Sequence, residues 1–163
     1  MDLLRKRWPV ILILLASLVA LAPALRPSAA IGPWDDLRAM MDGRPTPRAF
    51  DVLQMDAVLQ FYGWRDLVFE SWGRFEPPYW NPYQLMGTPL LANSQSGGFY
   101  PLHILVGVLH LPTWLAVLLL AWFHLTLGGM GVRALVLRMG GSEVGAAVGG
   151  ACFATSPFML SWV

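Results

Sequence analysis

The sequence predicts an all-α integral membrane protein. It should have three to four transmembrane or re-entrant helices and a large extracytoplasmic first loop containing a surface helix. Three observations carry this. Of 163 residues, 56% are hydrophobic and only 13% are charged, a balance outside that of ordinary soluble domains. Uncharged apolar runs approach the ~20 residues that cross a bilayer. Between the first two runs lies a long segment that is polar, aromatic and punctuated by Pro and Gly. A net charge of +1 gives no field that would attract nucleic acid. The partners expected are membrane lipids, with other membrane proteins as possible companions.

Residues 1–163 are expected to form a single membrane domain. The chain stops at Val163 inside an apolar stretch, so the expectation is a fragment of a longer protein. The first transmembrane helix is expected over 8–25, after the basic triplet Arg5-Lys6-Arg7. A secretory signal peptide is the rival reading, on the small residues Ser28-Ala29-Ala30. The length of the run and the membrane segments downstream favour an uncleaved helix. The basic flank sets a cytoplasmic N-terminus and puts residues 26–100 outside.

This outer segment holds six Arg, no Lys and eight acidic residues. Its first part, through Arg48, is rich in Pro and Gly and is expected to be irregular or a short helix. From Phe50 to Phe75 apolar residues recur at three- and four-residue steps: Val52, Met55, Leu59, Tyr62 and Phe69, widened by Trp64 and Leu67. That spacing predicts a helix along the membrane surface, with Asp56, Gln60 and Arg65 towards its polar side. Pro77-Pro78 end it. Residues 101–111 predict a short re-entrant or interfacial helix, interrupted by Pro112. The second span is expected over 113–132, and its basic exit at Arg133 and Arg138 should be cytoplasmic. The third is expected over 142–163, capped by Ser142 with Glu143 in its first turn. Gly141, Gly145 and Gly149 stand four apart, as do Ala146 and Gly150. This small-residue face lets another helix approach closely, with Gly141, Gly145 and Gly149 expected at the contact. The only cysteine, Cys152, makes no intrachain disulfide and reads as a small buried residue.

The chemistry concentrates in Tyr79–Pro101, YWNPYQLMGTPLLANSQSGGFYP. This run has no charged residue and no helical or strand period, yet it is dense in aromatics and amides. It reads as an ordered loop lining a site. Trp80, Asn81, Asn93 and Gln95 are the substrate-binding candidates. Amides pair with hydroxyls as donor and acceptor, and aromatic faces suit sugar rings. The competing role for Trp80 and Tyr83 is anchoring at headgroup depth. Asp56 is the catalytic candidate, one turn before Gln60. A carboxylate there suits a general base or cation ligand, against the plainer reading of a solvated surface acid. Asp51 is the reserve. His103 and His110 are seven apart and would share a face of a straight helix, but two ligands are too few for a zinc site. The mid-span His124 is either functional or bonded to a neighbouring helix. A possible divalent cation is the only cofactor raised, and its ligands are unknown.

From Asp56 to about Pro157 the chain resembles the YfhO-like bacterial membrane proteins of the GT-C glycosyltransferase superfamily. The matching residues are Asp56 with Gln60-Phe61-Tyr62 and Trp64, and Tyr79-Trp80-Asn81-Pro82-Tyr83. Gly87-Thr88-Pro89-Leu90-Leu91-Ala92-Asn93 with Gln95 and Phe99-Tyr100-Pro101-Leu102 follow. Then come His124, Gly128, Gly131, Arg138-Met139-Gly140, and Phe153-Ala154 with Ser156. The resemblance implies an enzyme of the bacterial cytoplasmic membrane and cell envelope. It would transfer a sugar from a polyprenyl-phosphate donor to an extracytoplasmic acceptor. Asp56 would be its catalytic carboxylate, as the base that deprotonates the acceptor hydroxyl or a ligand to a divalent cation, with Gln60, Asn81 and Gln95 lining the pocket. Relatives have about a dozen membrane helices and some carry an Asp-x-Asp or Glu-x-Asp, which Asp56 lacks. The alternative is a non-catalytic membrane protein that binds or scaffolds lipid-linked sugar.

Overall fold

The computed structural model describes residues 2–25, 31–45 and 55–161, and the described chain is mostly helical. It divides into two compact units, one from Met1–Ala29 with Leu118–Val163 and one from Ala30–Val117.

Among the described residues, the regular elements of the first unit are all helices. Helix α1 spans Asp2–Ala20, with Pro9 inside it. The expected span over 8–25 is therefore cut short. The α-helix ends at Ala20 and a 3₁₀ turn over Ala22–Leu25 follows, because Pro23 has no N–H to continue the helix. Its apolar part, Arg7–Ala20, is about 21 Å long at 1.5 Å per residue, short of the ~30 Å hydrocarbon core. Among the described residues two helical stretches are long and apolar enough to cross a membrane: Thr113–Arg138, and Glu143–Ser161. Helix α5, Thr113–Arg138, runs past the expected end at 132. Gly128, Gly129 and Gly131 do not stop it, since a helix supported by neighbours tolerates their propensity cost. The last stretch is broken in two at Thr155-Ser156: α6 over Glu143–Ala154 and α7 over Pro157–Ser161.

Ser142 caps α6 as expected, its Oγ accepting from the Gly145 N–H at 3.1 Å. Glu143 holds Arg133 through two hydrogen bonds of 2.8 and 3.1 Å. The packing face differs from expectation. A Cβ on Gly145 would meet only its own cap, Ser142 Oγ, and one on Gly149 would touch Val132 and Val136 at ordinary distance. The close crossing lies on the adjacent face. A Cβ on Gly150 would stand 2.5 Å from the Gly129 carbonyl oxygen and 2.8 Å from Ile13 Cδ1. Ala146, Ala147, Gly150 and Ala154 are the buried positions of α6. Cys152 is exposed, not buried, because it falls off that face. Polar groups also join α1 to α5: Ser17 and Thr126 hydroxyls lie 2.8 Å apart, and Trp122 Nε1 donates to the Leu14 carbonyl at 3.1 Å.

The second unit begins with α2, Trp34–Met41, in the part before Arg48 expected to be irregular or a short helix. Trp34 meets Tyr62 edge to face, with ring centroids 4.9 Å apart. The helix expected over Phe50–Phe75 is seen in two parts among the described residues, a π-helical turn over Ala57–Phe61 and α3 over Tyr62–Gly73. The π turn rephases the apolar stripe. Met55 is buried before it, Val58 within it, and Trp64, Val68 and Phe69 after it. Leu59, expected on the buried face, is exposed. Arg65, expected towards water, is half-buried, and burial lowers its pKa from the ordinary value. Helix α3 ends before Pro77-Pro78, with Phe75 in the left-handed region at φ 57.

The loop that follows contains two two-residue strands, β1 at Trp80–Asn81 and β2 at Thr88–Pro89. They are antiparallel, with Trp80 opposite Pro89 and Asn81 opposite Thr88. A 3₁₀ turn at Ser94–Ser96 comes next. Trp72 Nε1 donates to the Gly98 carbonyl at 2.7 Å and Ser96 Oγ to the Leu90 carbonyl at 3.1 Å. These bonds fix the loop as an ordered element. Helix α4, Pro101–Val108, packs on α3, and His103 sets its ring edge against Phe69 with centroids 5.2 Å apart. His110 lies beyond the end of α4 with φ 52, so the two histidines do not share a helical face.

Candidate functional site

The π turn begins immediately after Asp56 and carries Gln60 at its fourth residue. A π turn opens the i→i−4 ladder and recurs at functional positions. Gln60 Nε2 donates to Asp56 Oδ1 at 3.0 Å. Asp56 is exposed, so one oxygen is engaged by a neutral amide while the carboxylate remains open to a substrate.

Gln60 also lines a cleft of about 440 Å³ formed by one side of α3 and the β1–β2 loop. Its polar wall is Gln60, Asp66, Glu70, Asn81, Tyr83 and Gln84. Residues Gln60, Gly63, Leu67 and Glu70 follow one another at three- and four-residue steps, so one stripe of the helix makes this wall. Asn81 is the organising residue on the loop side. It is 4% exposed, and its Oδ1 accepts the Tyr83 N–H at 2.9 Å. Gln84 Oε1 accepts from Trp64 Nε1 at 3.2 Å. That bond leaves the Gln84 amide nitrogen as a donor. The cleft therefore offers amide donors and acceptors with two carboxylates beside them, a set suited to a polyol.

A second cleft of about 640 Å³ lies against α3 and α4. It shares Asp66 and Glu70 with the first and adds Tyr62, Arg74, His110 and Thr113. Thr113 Oγ1 donates a short hydrogen bond to Asp66 Oδ1, and Glu70 pairs with Arg74 at 3.1 Å. Burial and, second, the nearby Asp66 carboxylate raise the Tyr62 pKa above its ordinary value. His110 Nδ1 faces the Val108 carbonyl at 3.0 Å.

Of the sequence-derived candidates, Gln60 and Asn81 come together in one cleft, and Asp56 joins them through its bond to Gln60. Trp80, Asn93 and Gln95 do not line either cleft. Asn93 instead caps the 3₁₀ turn, its Oδ1 accepting the Gln95 N–H at 3.1 Å, and Gln95 is exposed. Asp51 lies outside the described residues. His103 Nδ1 lies 2.9 Å from the Gly97 carbonyl oxygen, an arrangement that pins the loop to α4. His124 Nδ1 lies 2.6 Å from the Leu120 carbonyl oxygen one turn back on its own helix. Asp66, Glu70 and Gln84 were not among the sequence candidates. The step pattern from Gln60 to Glu70 was a usable signal for Glu70 alone. Among the described residues no three His, Cys, Asp or Glu side chains converge on a point where a metal would sit. Comparison with family models, with curated proteins and with solved structures finds no match.

Proposed function

We propose that the chain is the N-terminal part of a multi-pass bacterial membrane glycosyltransferase that takes sugar from a polyprenyl-phosphate carrier. The observation that carries the reading is the Asp56–Gln60 pair. It is a carboxylate set at a π turn and bonded to an amide that itself lines a polyol-suited cleft. The WNPY and GTPLLAN runs, with their family resemblance, support the same reading. In the reaction, Asp56 accepts the proton of the acceptor hydroxyl. The acceptor oxygen bonds to the sugar C1 as the C1–phosphate bond breaks, and polyprenyl phosphate leaves with that electron pair. Gln60 steadies the base, and Asn81 with Gln84 orients sugar hydroxyls. Positioned acid–base catalysis of this kind contributes roughly 10²–10⁴-fold. The proposed topology has a cytoplasmic N-terminus, residues 26–100 outside, and Arg133 to Gly141 inside.

The test is sugar transfer in membranes containing the full-length protein, with a radiolabelled sugar on a polyprenyl-phosphate donor. Label should pass to an extracytoplasmic acceptor. Saturable binding of the donor without any transfer would replace the enzyme with a lipid-linked-sugar scaffold.

A further inference from the structure

The tip of the β1–β2 hairpin combines strain with exposure. Leu85 and Met86 are consecutive and both left-handed, at φ 50 and 64, and Gly87 follows at φ 119. Side chains with a Cβ rarely adopt this conformation, and bulky ones least of all. The turn is nevertheless firmly held. Gly87 N–H donates to the Gln84 carbonyl at 2.8 Å, and Asn81 Oδ1 secures Tyr83. The Trp80 indole lies so close to Gly87 that a Cβ there would stand 2.4 Å from the ring. The product of this construction is two apolar side chains aimed at solvent: Leu85 is 85% exposed and Met86 103%. Tyr79, Trp80 and Tyr83 beside them are 64%, 56% and 84% exposed. An exposed apolar cluster on an ordered support marks an interaction site.

The composition of the surroundings identifies the partner. After Glu76 the next Asp, Glu, Lys or Arg in the sequence is Arg133, so the hairpin has no charge of its own. Protein-binding patches are bordered by polar and charged residues. Tyr and Trp with apolar neighbours and no charge are instead the residues of the headgroup layer, where one end of the ring is dry and the other wet. The same unit contains Thr113, which opens a helix long enough to cross a bilayer.

We propose that the Leu85–Met86 tip inserts into the interfacial layer of a phospholipid bilayer, with Tyr79, Trp80 and Tyr83 at headgroup depth. This inference rests on the membrane location in the reading above and not on catalysis. It fixes the β1–β2 loop at the surface from which a lipid-borne substrate would be drawn.

The test places single cysteines in the full chain, with Cys152→Ser removing the native thiol. Met86→Cys is the probe, Arg44→Cys the aqueous reference and Leu127→Cys on α5 the bilayer reference. Each carries an environment-sensitive fluorophore in vesicles of phosphatidylcholine and phosphatidylglycerol. The Met86 label should be quenched by lipids brominated near the headgroup. Iodide should quench it several-fold less than the Arg44 label. Iodide quenching equal to that of Arg44, with no lipid quenching, overturns the proposal. Protection from both quenchers also overturns it, because another protein surface then covers the tip. A Leu127 label untouched by lipid quenchers defeats the membrane location itself, and the tip proposal with it. A quenched Leu127 label with an unquenched Met86 label defeats the tip proposal alone. The double substitution Leu85→Gly, Met86→Gly suits the left-handed turn and removes the apolar side chains. A label at Tyr83→Cys in that background should lose most of its lipid quenching with unchanged circular dichroism. Undiminished quenching there means that the tip side chains are not what the bilayer holds.

Discussion

Gly150→Ala should loosen the first unit, whereas Gly145→Ala should not. The added methyl at Gly150 would stand 2.5 Å from a backbone oxygen of α5 and 2.8 Å from Ile13 Cδ1. Optimal contact lies near 3.5 Å, so α6 must retreat by about 1 Å. A backbone oxygen in a packed helix cannot swing away as a side chain does. Overpacking of this sort costs roughly 1–3 kcal/mol. Replacing a helical glycine by alanine returns about 0.5–1 kcal/mol, and with overpacking by a rigid backbone oxygen at the upper end of its range the net loss at Gly150 is up to roughly 2.5 kcal/mol. At Gly145 the methyl meets only the cap hydroxyl at 3.3 Å, and the propensity gain decides the sign. Thermal unfolding in detergent, followed by circular dichroism, measures both. Gly150→Ala should melt below the parent and Gly145→Ala at or above it. A Gly150→Ala protein as stable as the parent would refute the Gly129–Gly150 crossing.

Ser142→Ala should destabilise α6 by about 1 kcal/mol, the usual worth of an N-cap, and a melting temperature equal to the parent's would remove the cap from the account. Tyr62 keeps its proton in the folded state beyond its ordinary range, because burial and Asp66 oppose the phenolate. Its contribution to stability is therefore complete below the unfolded tyrosine pKa and is lost as pH rises through the raised folded value. Tyr62→Phe should flatten that alkaline loss in a denaturation series; an unchanged slope would show that Tyr62 is not its source. Reporter fusions at Gly43 and Gly140 test orientation, with periplasmic activity expected at Gly43 alone, and equal activity at both would contradict it.

The extent to which the sequence was legible follows from the range of each interaction. Ser142 announced its helix because capping is local, and the break at Pro112 was equally local. The Ala57–Phe61 π turn left no such mark, and by adding one residue to a turn it moved Leu59 out to water and Arg65 inward. The small-residue face of α6 was legible, with Ala146 and Gly150 in it, but the contact was set on Gly145 because both stripes share the same four-residue spacing. Only the position of Gly129 and Ile13 selects Gly150 over Gly145, and that is a tertiary fact. The first helix was overestimated because hydropathy continues through Ala22–Leu25 while Pro23 ends the regular backbone. At the candidate site, Gln60 and Asn81, chosen for their chemistry, fall in one cleft. Asn93 was assigned to substrate but is used as a cap, since the same amide serves both purposes. Asp66 and Glu70 were given no role from the sequence, and the fold brings both to the cleft beside the β1–β2 loop.

The central claim is that Asp56 is the base of a sugar-transfer reaction. Asp56→Asn removes the charge and keeps the size, and Gln60 still has an oxygen to bond. In the full-length protein, assayed in membranes with a polyprenyl-phosphate donor, turnover should fall by roughly 10²-fold or more. Donor affinity should hold, because Asn81 and Gln84 keep their places, and Asp51→Asn should cost little. Normal turnover by the Asp56→Asn enzyme would contradict the account.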